Sequence, residues 1–296
     1  MLTLLVGYAL AASRTLPPTN WGAIEVLSFR LLIPAVLIRA IAGIEVDLAA
    51  YAPFAFALWT AVGAVALVVL VLRPLWRRLG VSNPQFTSLF QLGTRWNGFI
   101  ALAAGELFLG QVGFAMVAIA MAVLIPVINV GNIVVLTVYG SGRATLRGVV
   151  MQLVKNPLIQ ASVIGLALLL SGTRLPGPVD ATLDLIGRGA LGVGILAIGA
   201  GMTLRRFLRP SRVLVLSLIL RPGLSLLAAL GAAQLFALPS EQVFILCMVL
   251  TVSAATNGYV VARQMGGDGE LYADGMAWQL LLSLALLPAL AAFFLI

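Results

Sequence analysis

Apolar residues run along this chain in long blocks separated by short polar connectors. A helix rises about 1.5 Å per residue and needs about 20 apolar residues to cross a hydrocarbon layer of roughly 30 Å. On that measure the pattern predicts ten membrane-crossing helices, over approximately 1–12, 24–43, 54–72, 86–104, 108–139, 158–170, 185–204, 213–237, 243–261 and 271–296. The fifth is overlong, which leaves both of its ends open. The first is short, since its residues reach only about 18 Å, as though its beginning were missing. A cleaved secretory leader is the rival reading of that segment, because Ala9-Leu10-Ala11 resembles a cleavage site, but the positively charged start of such a leader is absent.

The blocks repeat. Asn97-Gly98-Phe99-Ile100 in the fourth helix is matched by Asn257-Gly258-Tyr259-Val260 in the ninth, 160 residues later. Gly7, Ala9-Leu10 and Ser13-Arg14-Thr15-Leu16-Pro17 are echoed by Gly165, Ala167-Leu168 and Ser171-Gly172-Thr173-Arg174-Leu175-Pro176, and a proline interrupts the last helix of each half at Pro126 and Pro288. Two homologous blocks of five helices in series must lie upside down relative to one another, because five is odd. The expectation is therefore an all-α membrane protein forming one domain over 1–296, in two inverted five-helix repeats (1–140 and 156–296) joined by a cytoplasmic connector at 141–155. The matched Asn-Gly pairs place discontinuous, crossing fourth and ninth helices at its centre.

Composition removes whole classes of function. With 61% hydrophobic and 9% charged residues, against about 25% charged in soluble domains, the chain is no water-soluble protein. Its net charge of +8 comes from arginines between apolar blocks, a distribution that suits an anionic lipid leaflet and offers no run long enough for nucleic acid. Twelve cations fall on one side (Arg14, Arg73, Arg77, Arg78, Arg143, Arg147, Lys155, Arg205, Arg206, Arg209, Arg212, Arg263), against Arg39, Arg174 and Arg188 on the other. The richer side is expected to be cytoplasmic, giving a multi-pass protein of the cell inner membrane with both termini periplasmic.

One cysteine, Cys247, and no histidine exclude an intrachain disulfide and a thiolate cluster, and leave no histidine to act as a base. Gly266-Gly267-Asp268-Gly269 is only superficially like the catalytic sequence of intramembrane aspartyl proteases, since Met265 stands where a glycine is needed and no Tyr-Asp partner exists. The reading is a protein that is not an enzyme and carries no cofactor, with proton or sodium coupling left open.

Candidate binding residues gather at the two predicted interruptions. Glycine loosens the helix there, and Asn can either cap a broken end or bond a ligand. Around Asn97 and Gly98 stand Gln91, Thr94, Arg95 and Trp96; around Asn257 and Gly258 stand Thr251, Ser253 and Thr256. Arg95 is the sharpest, because a guanidinium at mid-membrane costs several kcal/mol unless paired or hydrated, and it matches a carboxylate bidentately. The bland alternative is an ion pair with Glu106 or Glu25. Arg30, Arg221 and Asn129 are further cavity candidates, Asn129 and Asn132 being equally suited to carbonyls freed by Pro126. Glu106, Asp268 and Asp274 could carry protons, or sit as solvated charges.

At Lys155-Asn156-Pro157-Leu158, Leu175-Pro176 leading to Gly199-Ala200-Gly201-Met202, Ala254-Ala255-Thr256-Asn257-Gly258-Tyr259 and Leu31-Leu32-Ile33-Pro34-Ala35-Val36-Leu37, the chain resembles the auxin efflux carrier family, bacterial type. That resemblance implies the ten-helix inverted repeat shared with bile acid sodium symporters, a scaffold bundle and a transport bundle, and substrate held at the crossing of helices four and nine. It departs from the plant exporters, which carry proline at the crossover where Gly98 and Gly258 stand here, so auxin itself is not implied; their long cytoplasmic loop is missing too. The function expected is a secondary carrier of small organic anions such as mono- or dicarboxylates; an anion channel or a sodium-coupled symporter is the alternative. Membrane lipids are the other expected partner, and a homodimer is compatible with the sequence.

Overall fold

The computed structural model describes residues 2–43, 51–140, 146–201 and 210–295, and every regular element among them is helical. Arg143, Arg205, Arg206, Arg209, Met202 and the first residues of the connector lie outside the described residues. In chain order the helices are α1 (Leu2–Ala12), α2 (Pro18–Leu27), α3 (Ile33–Ala42), α4 (Ala52–Val71), α5 (Arg73–Arg78), α6 (Asn83–Thr94), α7 (Gly98–Gly140), α8 (Leu146–Lys155), α9 (Pro157–Ser171), α10 (Gly177–Gly201), α11 (Arg212–Leu218), α12 (Ser225–Leu235), α13 (Ser240–Thr251), α14 (Asn257–Met265) and α15 (Gly269–Leu295). Wide π turns, Ser28–Leu32 and Ile219–Leu224, fuse α2 to α3 and α11 to α12.

Among the described residues, five helical stretches are long and apolar enough to cross a membrane: Asn20–Arg39, Ala52–Val71, Val112–Gly140, Arg212–Leu235 and Gly269–Leu295. Large apolar side chains lie on the outside as well as in the core, and charged and amide side chains are buried among them. Leu67, Leu107, Leu170, Leu185 and Phe293 are exposed, while Arg95, Arg221, Asn129 and Gln279 are buried, as expected where lipid replaces water. The chain is an all-helical, multi-pass membrane protein.

Local chemistry accounts for the helix ends. Ser82 and Gln85 form a reciprocal capping box at the start of α6, and Asn156 Oδ1 accepts from the Leu158 and Ile159 amides (2.9 and 3.4 Å) with Pro157 opening α9. Gly110, with φ 58° and ψ −142°, turns the chain sharply inside α7, a conformation closed to residues with a Cβ. The expected boundary near residue 104 therefore falls later than the apolar pattern indicates. The α10 helix, expected from 185, starts a full two turns earlier at Gly177, because Asp180, Asp184 and Arg188 break its apolarity without breaking the helix. The connector is itself helical over α8.

Helices α1, α2, α3, α9 and α10 pack mainly on one another, and α4, α6, α7 and α11 to α15 form a second group around the largest buried cluster. At one end of the first group, Arg39 donates to Asp180 through Nε (2.7 Å) and Nη2 (3.1 Å) and also reaches Asp184, which Arg188 Nε holds at 2.7 Å. Arg39 and Arg174 line a shared cleft there. These pairs are partly exposed, so Asp180→Asn should cost about 1 kcal/mol or less. A melting temperature that falls by a few degrees, with a smaller fall at high potassium chloride, is the expected result.

Candidate functional site

Two helices break, and the breaks touch. Helix α6 ends at Thr94 and α13 at Thr251, and each threonine hydroxyl donates back along its own helix, to the Phe90 carbonyl (2.8 Å) and the Cys247 carbonyl (2.7 Å). The next residue is extended in both, with ψ 148° at Arg95 and 154° at Val252, and each closes its last turn with a 2.8 Å amide bond. The first break spans residues 95–97 and the second 252–256. The same pattern thus recurs, with two extra residues in the second copy. A second recurrence lies after α1 and α9, where Ser13 and Ser171 each bond the threonine two residues on at 2.9 Å.

Backbone groups freed inside a membrane must find partners, and here the breaks supply each other. The Asn97 amide donates to the Ser253 carbonyl at 2.8 Å. Gln279 of α15 bridges the breaks, accepting from the Ala254 amide (2.9 Å) and donating to the Leu92 carbonyl (3.2 Å). Tyr272 donates to the Ala255 carbonyl at 2.6 Å. Arg221, 2% exposed, donates through Nε to Val252, through Nη1 to Gly93 and through Nη2 to Val249, all main-chain carbonyls at 2.9–3.1 Å.

Arg95 is buried to the same degree but differently held. Its Nε donates to Gln91 Oε1 (2.9 Å) and its Nη1 to Asn129 Oδ1 (3.1 Å), while Nη2 meets no protein partner. Among the described residues no carboxylate pairs with it. Asn129 Nδ2 and Asn257 Oδ1 are likewise buried without partners. Arg95, Asn129 and Asn257 line one cavity of about 70 Å³ together with Trp96, Asn97 and Thr256, closed on its other side by Ile33, Val36 and Leu37 of α3 and Ala190 of α10. The cavity lies at the seam between the two helix groups. At roughly 10–15 Å³ per water-sized position it holds a handful of small polar atoms.

The two helix starts facing this cavity are unequal. Asn97 caps α7, its Oδ1 accepting from the Ile100 amide at 3.2 Å, whereas α14 has no side-chain cap. The start of a helix carries about half a positive charge, and at α14 the Gly258 and Tyr259 amides bond the Ala255 (3.1 Å) and Thr256 (3.3 Å) carbonyls in place of a side-chain cap. Together with Arg95 Nη2 that charge makes the cavity electropositive, and what the arrangement can do is hold a small anion.

Of the residues singled out from sequence, Arg95, Asn97, Gly98, Asn129, Thr256 and Asn257 line the cavity. Gln91 orients Arg95, Thr94 bonds Asn132, Ser253 supplies the carbonyl that receives Asn97, and Gly258 packs against Tyr272. Arg221 clamps backbone and does not line the cavity. Glu106 and Arg30 are exposed. Sequence reasoning missed Gln279, whose lone amide within an apolar run was the available signal, and Tyr272, whose partner is a carbonyl that only the fold brings near.

A family model for a membrane transport protein matches residues 141–291, from the connector through both the second broken helix and most of α15. No curated protein sequence matches the chain.

Proposed function

The chain belongs to this membrane transport protein family, that of the auxin efflux carriers, and from that premise we propose that it is a secondary carrier of small organic anions. The observation that carries the reading is a guanidinium nitrogen, Arg95 Nη2, buried without a partner beside a small, mainly apolar cavity. A buried cation left with a free donor is costly until an anion meets it. A carboxylate there would accept from Arg95 Nη2 and Asn129 Nδ2 and face the start of α14, with the apolar wall of Ile33, Val36 and Ala190 against its carbon chain. The size of the cavity favours short mono- or dicarboxylates over anything the size of an aromatic hormone.

The topology proposed is ten crossings in two inverted halves. The first comprises α1, α2 with α3, α4, α6 with the part of α7 before Gly110, and the rest of α7; the second comprises α9, α10, α11 with α12, α13 with α14, and α15. In support, the broken pair stands fourth and the proline-bearing helix fifth in each half. Broken, crossing helices at the midplane are where such carriers bind substrate. Access runs through a larger cavity of about 440 Å³ lined by Arg39, Asp184, Phe114 and Arg188, which shares Val36 and Met121 with the site. Rocking of one helix group against the other along the seam would open the site to the opposite side.

Purified protein screened for thermal stabilisation by acetate, lactate, malonate and succinate tests the proposal. A saturating carboxylate, at about a hundredfold over its Kd, should stabilise by about 2.7 kcal/mol. Asn129→Ala, which removes the unpartnered Nδ2 donor, should weaken that binding about tenfold, the value of roughly one hydrogen bond to a charged group. No shift with any of the acids would remove the substrate class.

A further inference from the structure

We propose that Arg221 is a built-in replacement for a coupling cation, so that transport by this chain needs no sodium; the inference rests on the carrier reading above. Discontinuous helices in carriers expose carbonyl oxygens at the C-terminal ends of their half-helices, and those ends coordinate the coupling ion. Each end carries about half a negative charge, so two facing ends amount to roughly one. Here the ends of α6 and α13 face one another, and the Arg221 guanidinium is bonded to both. All three of its donor nitrogens are used, on Gly93 of α6, on Val249 of α13 and on Val252, the first residue of the second break.

The position is built. The π turn Ile219–Leu224 contains Pro222 and aims Arg221 inward, the side chain is 2% exposed, and no acidic partner competes for it among the described residues. Arg95, on the opposite side of the same break, spends its bonds on side chains and keeps one nitrogen for the cavity. The two guanidiniums thus divide the work, one fixing the crossing and one receiving the anion. A planar fork spreads its three acceptors apart, so a small spherical ion could touch them together only if both backbones closed in. Arginine therefore occupies the ion's place in charge and holds an arrangement that the ion would not.

Melting and exchange of the wild type and two variants test this. Wild-type protein should melt at the same temperature, and exchange the best carboxylate of the thermal screen at the same rate, in sodium and in choline media of equal ionic strength. Arg221→Ala should melt several degrees lower and exchange at least tenfold more slowly. Low-millimolar guanidinium, far below denaturing levels, should recover both, and equal sodium should not. Arg221→Lys, which keeps the charge without the fork, should fold and remain indifferent to sodium with reduced exchange. Sodium-dependent melting or exchange of the wild type would overturn the inference even if Arg221→Ala could not be purified. So would an Arg221→Ala protein of unchanged stability and rate, or one that guanidinium fails to restore. Loss of exchange in every medium would instead strike the carrier reading, and the melting comparisons would still judge Arg221.

Discussion

Arg95→Gln should abolish the carboxylate-induced rise in melting temperature and slow exchange by on the order of a hundredfold, while the protein without ligand stays as stable as the wild type or becomes more so. The two halves of that expectation have one cause. In the unliganded protein Arg95 is a buried charge satisfied by two side-chain carbonyls, with its third donor idle. Removing such a charge returns its desolvation cost. Removing it from the complex leaves a buried carboxylate facing no cation, a loss of about 3 kcal/mol, in the range measured when one partner of a buried charged pair is truncated. A residue that merely braced the fold would do the reverse, lowering the melting temperature of the empty protein. Melting curves with and without carboxylate, beside exchange rates, separate the two.

Gly258→Ala should be the most damaging small change at the crossing, and Gly98→Ala a mild one. The two glycines occupy matched positions in sequence but not in packing. A Cβ at Gly258 would stand 2.1 Å from Tyr272 Oη and 2.3 Å from its Cζ, and that phenol is tied to the Ala255 carbonyl of the second break. A Cβ at Gly98 would meet the mobile end of Met121 at 3.2 Å. Forced overpacking costs about 1–3 kcal/mol, and here it also displaces the bond that holds the break. Gly258→Ala is expected to lose both stability and carboxylate binding; Gly98→Ala should keep its stability within about 1 kcal/mol, since a flexible methionine can retreat. Melting and binding of the two purified variants check the contrast, and equal behaviour would mean that Tyr272 does not fix the second break.

That contrast also marks how far the sequence can be read. The paired Asn-Gly steps are visible as a repeat, and Arg95 is conspicuous as a charge within an apolar block, because both signals are local. The functions of the two asparagines are not. Asn97 caps its helix while Asn257 Oδ1 stays unpartnered, a difference created by a second break two residues longer than the first. Arg221 is equally conspicuous as a charge, yet its role depends on carbonyls 28 to 128 residues away, and no periodicity reports such distances. Gln279 and Tyr272 are hidden for the same reason. The apolar pattern places the starts of α6 and α9 near 86 and 158, within three residues of the observed Asn83 and Pro157, which the Ser82 and Asn156 caps fix. Helix ends were misplaced at Gly177, where charges facing Arg39 lower the apolarity of a genuine helix, and at Gly110, where the turn lies inside an unbroken apolar run.

In the proposed carrier the two touching breaks form one anion site served alternately from either side. Counterflow is the most direct measure of this. Proteoliposomes holding the wild-type protein and loaded with unlabelled carboxylate from the thermal screen should take up the labelled acid faster than empty ones, saturably, and Arg95→Gln should remove the difference. Uptake that is unsaturable and indifferent to the internal acid would mark an open channel and contradict the account.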